Sequence, residues 1–536
     1  MEDLRTWRPV IMGRSGAVAS NHPLATRAGY EALRAGGNAA DAAVAVGAAI
    51  GVVEPNMSGV GGDGFFLVWD ATAREGTVIH ACGHAPAPAT TERYGSHIPL
   101  TGPMSASVPG LAGGWEALRA RFGTRRAPEL YTAAIEYARD GFPATRRFCH
   151  FARQHAADLA VDPACARTYL PDGRPPALGA TIRNLALART LEALAEGGAD
   201  VLYEGEVGLS LAKFVMFEGG LITAADLAAH RTEETPPIST TYRDLTVLEA
   251  GPTSAGFTLL EELNIVEQFD VAAMGFLSAD AVHVFVEAKK LAFEDRERYA
   301  GDPRFVRAPL DRLLGKGYAH ELAGRIDIKR AARSTPRRPA PAGDTTYFAV
   351  VDGAGNAVSG IQSLGAPFGA CVMDPETGIL LNNRMTWWHL ERGHPNRLAP
   401  GKRVRQTMNP PLAVQDGAVR YVWGTPGGDS QVQVNLQNFT AMVDFGLDPQ
   451  QAVEAPRWDS FQPGTGSVFP HVAADELTME DRFAPAMIEN LRARGHTVRV
   501  IGPLDGPCSA EAIERRADGL LLCGSDPRRD GWAAAF

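Results

Sequence analysis

The chain has 536 residues, 45% of them apolar and 21% charged, with a net charge of −10. These values describe a soluble globular protein and exclude a fibre, a disordered chain and, through the negative charge, a partner bound by its nucleic-acid backbone. At this length one ordinary core is not enough, so two or three lobes, or one large layered domain with helical additions, are expected.

The opening "MEDLRTWRPVIMGRSG" carries acidic residues at once and no apolar h-region, so it does not read as a secretory signal. "HPLATRAGYEALRAGGN" reads as a helix closed by Gly36 and Gly37. Asn38 or Asp41 then starts a buried helix through the apolar run Ala42 to Val53, which is too short to span a bilayer and stops at Pro55. "GDGFFLVWD" and "TVIHA" follow as paired buried strands. The middle third is helical: "TIRNLALARTLEALAEGG" and "SADAVHVFVEAKKLAFEDRERYAGDP" repeat apolar residues at three- and four-residue spacing, the second opening at Ser278 and closing at Gly301. From Arg325 the pattern fails, and "KRAARSTPRRPAPAGD" has the proline, arginine and alanine bias of an exposed, mobile linker over about 327–344.

After the linker the pattern turns to strands. Tyr347 to Asp352 is apolar on both faces, "DGAGN" is a turn and "AVSGIQS" completes a hairpin whose first strand begins at Thr345. "GILLNN", "LAVQDGAVRYVWGT" and "GLLLCG" are read as further strands of a second sheet-forming region, with a helix over "QVQVNLQNFTAMVDFG". The order fits an α+β, four-layer αββα sandwich with additional helices. No internal repeat is evident.

Cys82, Cys149, Cys165, Cys371, Cys508 and Cys523 lie far apart without a C-x-x-C pair, which fits reduced thiols and a cytoplasmic protein. His80 with His84, His150 with His155, and His389 with His394 form no H-E-x-x-H, so neither a metal nor a cofactor is expected.

A Thr-Thr pair at a strand start is, on its own, an ordinary strand opening. Its surroundings say more. "DTTYFAVVDGAGNAVS", "GILLNNRM", "GKRVRQTMNPP" and "GTPGGDS" resemble, in order and spacing, the small-subunit half of the gamma-glutamyltranspeptidase family. "GGNAADAAVAVGAAIGVVEP", "GVGGDGFF" and "HAPAPAT" resemble its large-subunit blocks. The resemblance implies an N-terminal-nucleophile hydrolase that cuts itself between Asp344 and Thr345, giving a large fragment 1–344 and a small fragment 345–536. These stay associated, further oligomerisation being left open. Thr345 is then the nucleophile, because an N-terminal threonine carries its own base as an α-amine with a pKa of about 7.7 to 8.0. Ser363 stands where a threonine usually hydrogen-bonds it. Gly427 and Gly428 are the oxyanion donors, each such N–H being worth roughly 3 to 4 kcal/mol in the transition state.

The substrate-binding positions depart from the family pattern. The arginine that holds an α-carboxylate falls on Cys82, the serine pair on Gln406 and Thr407, and the aspartate that meets an α-amine on Trp387. Without that acid a glutathione-like donor loses an anchor. Arg384 and Arg405 add positive charge, and Trp387 with Trp388 offer flat apolar walls. The pattern resembles the amidohydrolase branch, with its oxamate amidohydrolases and cephalosporin-acylase-like members, and points to a small carboxylate-bearing amide as substrate, with no nucleic acid or membrane partner. A true gamma-glutamyltransferase, and an uncleaved binding protein on the same fold, remain the alternatives.

Overall fold

The structure, a computed structural model, describes residues 5–332 and 344–536. Two seven-stranded sheets lie face to face. One runs, in spatial order, through 532–535, 16–20, 344–352, 357–365, 63–70, 75–81 and 233–235; the other through 11–13, 521–525, 511–515, 418–424, 412–415, 245–249 and 238–242. Both mix strands from before and after residue 344. The chain is therefore one layered body, and the expected second sheet-forming region is instead interleaved with the first.

The strand after the linker shows why. Tyr347, Ala349 and Val351 pack in the layer between the sheets, against Leu412, Val422 and Ile513. The alternating Phe348 and Val350 pack outward in the layer built on helices 23–34, 39–53 and 111–122. A strand apolar at every position has two faces to bury, and this one sits near the middle of its sheet. The second sheet is covered on its outer side by helices 256–266, 279–299 and 431–443, which meet Val247, Ala413, Tyr421 and Trp423. This is the expected αββα order.

Helix starts follow the sequence closely. Asn38 and Asp41 make a reciprocal capping box at the buried helix 39–53, and Ser278 caps 279–299, which ends at Tyr299. Gly36 lies at φ 87° just beyond the first helix, a conformation that suits glycine. Helix 185–197 is shorter than its apolar pattern because Thr181–Ile182 pairs with Phe142–Pro143 instead. The strand expected at 378–383 does not form: Leu380 and Leu381 make only isolated bridges to Met373 and Gly61. The asparagines that follow explain the irregularity. Asn382 accepts from Ser107 N–H and Arg384 N–H and donates to the carbonyls of Gly61 and Ser107, so its amide replaces ladder bonds. All six cysteines are free and buried. Most of the linker expected at 327–344 falls on residues 333–343, outside the described residues.

Candidate active site

Thr345 and the two candidate oxyanion glycines come from opposite sheets. Thr345 stands at the start of strand 344–352, where the register to strand 357–365 slips between Asp344↔Gly365 and Thr346↔Gln362. Such an irregularity re-aims one side chain out of the regular alternation. Thr345 is 1% exposed, and its Oγ1 donates to Ser363 Oγ at 3.4 Å, while Ser363 Oγ accepts from Gly365 N–H at 2.8 Å. Ser363 therefore keeps the contact expected of a hydroxyl at its position.

Gly427 and Gly428 follow strand 418–424 of the facing sheet. The Tyr347 ring fills the space between the two sheets here and packs directly on Gly424, where a Cβ would lie 2.2 Å from it. Gly427 has φ 124° and Gly428 φ 59°, and a Cβ on Gly427 would meet Cys508 Sγ at 2.2 Å. Position 427 thus requires glycine for both conformation and space. The turn is pinned from behind by Asp429, whose Oδ1 accepts from Arg296 Nη1 and Ser467 Oγ, both at 2.6 Å, and whose Oδ2 accepts from Ser467 N–H at 2.9 Å. Ser430 Oγ donates to Asp459 Oδ2 at 2.7 Å. These supports have no local signature in the sequence, because Arg296 lies on a helix whose spacing reads as scaffold. Val at 428 would be β-branched at positive φ and would misaim the N–H. Gly428→Val is expected to slow amide turnover about a hundredfold with the fold retained, checked by steady-state rates beside a circular-dichroism melt.

Gln431, the first residue of helix 431–443, closes the space between these parts. With its side-chain oxygen toward Gly428 N–H (3.2 Å) and its nitrogen toward the Thr407 carbonyl (2.9 Å), both ends of the amide are satisfied. The opposite orientation sets donor against donor at Gly428 and acceptor against acceptor at Thr407, in return for three long bonds: 3.3 Å from Asn409, 3.4 Å to Thr345 Oγ1 and 3.5 Å to Thr407 Oγ1. The end that faces Gly428 also lies 3.4 Å from Thr345 Oγ1 and 3.5 Å from Thr407 Oγ1.

Arg384 and Gln406, two of the positions expected to meet substrate, both reach Asp63 on the strand beside Ser363. Asp63 is the direct cross-strand neighbour of Ser363. This buried carboxylate accepts from Arg384 Nε at 3.2 Å, Gly83 N–H at 3.0 Å and Gln406 Nε2 at 3.4 Å. Asp63 opens the buried strand read over "GDGFFLVWD", and nothing in that pattern marks it as a counter-ion. It corrects the expectation of a site without an acid. Burial pushes the Asp63 carboxyl up and the Arg384 guanidinium down, and each supplies the other's counter-charge. Arg384 is wholly buried and its guanidinium lies 4.8 Å from the Trp387 ring centroid. Its Nη2 reaches Met408 Sδ, and its Nη1 has no hydrogen-bond partner among the described residues. Cys82 donates to the Gly64 carbonyl, and burial, then the nearby Asp63, pushes its thiol well up, so it is neutral.

Arg405 is paired with Glu297 at 2.9 Å, and Glu297 also holds Arg296 at 3.0 Å, while Arg405 Nη2, like Arg384 Nη1, has no hydrogen-bond partner among the described residues. Arg405 therefore reaches the donor turn through Glu297, Arg296 and Asp429. Trp387 and Trp388 are both buried in one apolar cluster with Ala85, Tyr94, Ile98 and Val404, so Trp388 is core and only Trp387 has a known contact with Arg384. Of the histidine pairs, His389 and His394 do meet, stacked at 3.5 Å and close to Glu297. Both Glu297 oxygens are already held by arginines.

A family model described as gamma-glutamyltranspeptidase matches residues 25–536. The chain belongs to the gamma-glutamyltranspeptidase family. A glutathione hydrolase-like YwrD proenzyme of Bacillus subtilis is 38% identical over 98% of this chain and 99% of its own. An oxamate amidohydrolase proenzyme of Klebsiella pneumoniae is also 38% identical, over 97% and 98%. The crystal structure of a cephalosporin acylase from Bacillus halodurans superposes with a TM-score of 0.91 at 33% identity, covering 99% of this chain and 98% of that one. Like these gamma-glutamyltranspeptidase relatives, the protein is a self-processing amide hydrolase or acyltransferase with the N-terminal-nucleophile fold.

Proposed function

We propose that the protein cuts itself between Asp344 and Thr345 and then hydrolyses a small carboxylate-bearing, oxamate-like amide. The observation that carries the substrate class is the Arg384 guanidinium: buried, flanked by Trp387, balanced by Asp63 on one edge and unpartnered at Nη1. A planar acid can take that remaining N–H in a charge-assisted bond. Asp63, directly across from Ser363, brings this group within reach of Thr345.

The reaction follows from the groups at hand. In the precursor Thr345 Oγ1 attacks the Asp344 carbonyl, the acyl group shifts from nitrogen to oxygen, and water releases the Asp344 carboxylate and a free α-amine on Thr345. That amine takes the Oγ1 proton as Oγ1 attacks the substrate carbonyl, and Gly427 and Gly428 N–H groups hold the oxyanion. The proton passes to the departing nitrogen, leaving an ester on Thr345 that water hydrolyses. Because both sheets interleave strands from each side of residue 344, fragments 1–344 and 345–536 stay together after the cut.

A second reading, a glutathione hydrolase, is favoured by Asp63, which offers a carboxylate for a substrate ammonium. An intact-mass spectrum followed by an amide panel tests the proposal. Fragments starting at Met1 and Thr345, and higher kcat/KM on oxamate-like amides than on γ-glutamyl-p-nitroanilide, are expected. Preference for the γ-glutamyl anilide would favour the second reading.

A further inference from the structure

The amide of Gln431 is placed where a reacting carbonyl has to go. Its oxygen is 3.2 Å from Gly428 N–H and 3.4 Å from Thr345 Oγ1. An acyl carbonyl under attack must meet the same two groups, with its oxygen on the N–H and its carbon at the hydroxyl. Gln431 is fully buried, and its nitrogen is tethered to the Thr407 carbonyl at 2.9 Å, on the segment that also carries Gln406. A buried N–H aimed at an empty oxyanion site needs an acceptor when no substrate is present, and Gln431 supplies one from within the chain.

We propose that Gln431 is an internal stopper of the oxyanion site: its side-chain oxygen occupies the Gly428 N–H in the resting protein and is displaced by the acyl oxygen of the substrate. The inference rests on Thr345 and Gly428 acting as nucleophile and donor, as proposed above. Gln431 is then a positioning residue that sets substrate affinity. Binding must break the Gln431–Gly428 bond, so the stopper raises KM and leaves the acyl-transfer step itself largely alone. Release of the tether to the Thr407 carbonyl frees the amide to turn away from the Gly428 N–H.

Two variants separate this from a purely structural role. Gln431→Met removes the oxygen at nearly constant volume, and should lower KM for the processed enzyme's best amide about three- to tenfold with kcat within about threefold of the parent. Gln431→Glu places an anion on the same N–H, a stronger acceptor than an amide oxygen. It should block the site where the carboxylate is ionised and release it where acid neutralises it, with burial raising that pKa. The ratio of Gln431→Glu to wild-type kcat/KM should therefore rise at least tenfold from pH 8 to pH 5.5, the ratio cancelling the fall that protonating the Thr345 α-amine imposes on both. Binding of phenylboronic acid, whose tetrahedral adduct on Thr345 puts an oxygen on the same N–H, supplies a readout that needs no substrate. It should tighten in Gln431→Met and weaken at pH 8 in Gln431→Glu. If Gln431→Glu fails to process at either pH, Gln431→Met decides. Unchanged boronate affinity and KM in Gln431→Met, or a drop in kcat at constant KM, would overturn the stopper. Wild-type protein that neither cuts before Thr345 nor binds the boronate would instead remove the acyl-transfer reading beneath it.

Discussion

Thr345→Ala should leave the chain as one piece of 57.1 kDa with no measurable amidase activity. The side chain removed is the only group proposed both to attack the Asp344 carbonyl and to form the acyl-enzyme, so both functions end together. Loss of the hydroxyl should cost the fold little, since the contact it makes with Ser363 is a long 3.4 Å bond and the strand is held by Tyr347, Phe348 and Val350 in two apolar layers. A melt close to wild type beside an uncut band is the expected pair of results. Thr345→Ser, which keeps a hydroxyl, should process and turn over slowly. Processing in Thr345→Ala, or a small fragment whose Edman sequence begins elsewhere, would move the nucleophile to another residue. Ser363→Ala gives the graded counterpart, with slower cutting and slower turnover, because it removes a partner and leaves the attacking atom in place.

The features legible in the sequence are those carried by local pattern. Helix starts at Asn38 and Ser278, the doubly buried strand after Thr345 and the glycines at 427 and 428 each announce themselves within a few residues. What stayed hidden depends on partners far along the chain. Asp63 is 321 residues from Arg384, and nothing in "GVGGDGFF" distinguishes an ordinary aspartate at a strand start from a buried counter-ion. The partner of Arg405 is hidden for the same reason, since Glu297 faces it from a helix that reads as scaffold. The strand expected at 378–383 failed because Asn382 and Asn383 satisfy backbone groups of other segments, a choice that propensity cannot express. Sheet membership was equally invisible: strand 16–20 pairs with both 344–352 and 532–535, so the two halves of the chain complete each other's sheets.

The Asp63–Arg384 pair offers the sharpest discrimination between the two substrate classes. Removing Arg384 alone is a poor test, because an unpaired buried carboxylate costs about 3 to 5 kcal/mol and would confound affinity with folding. Asp63→Asn with Arg384→Met removes both charges together and should fold. On the proposed reading the double variant loses the group that holds the substrate carboxylate, and kcat/KM on an oxamate-like amide should fall ten- to hundredfold, mainly through KM. That range corresponds to the roughly 1.5 to 3 kcal/mol of a hydrogen bond to a charged group. Asp63→Asn alone should behave oppositely. Its amide sets one N–H against the donors of Gly83, Arg384 or Gln406 and takes the counter-charge from the buried guanidinium, at a cost to stability of about 3 to 5 kcal/mol, so affinity is read on protein shown by its melt to be folded; the guanidinium is then left without a competing anion. The acid substrate should then bind as well as before or better. If the natural donor is γ-glutamyl, Asp63 is the counter-charge for its ammonium, and Asp63→Asn should abolish that turnover, since an ammonium desolvated without a partner costs several kcal/mol. Measuring both substrates on Asp63→Asn therefore decides the class: retained oxamate-like turnover supports the proposal, and selective loss of γ-glutamyl turnover in an enzyme that prefers that donor would replace it.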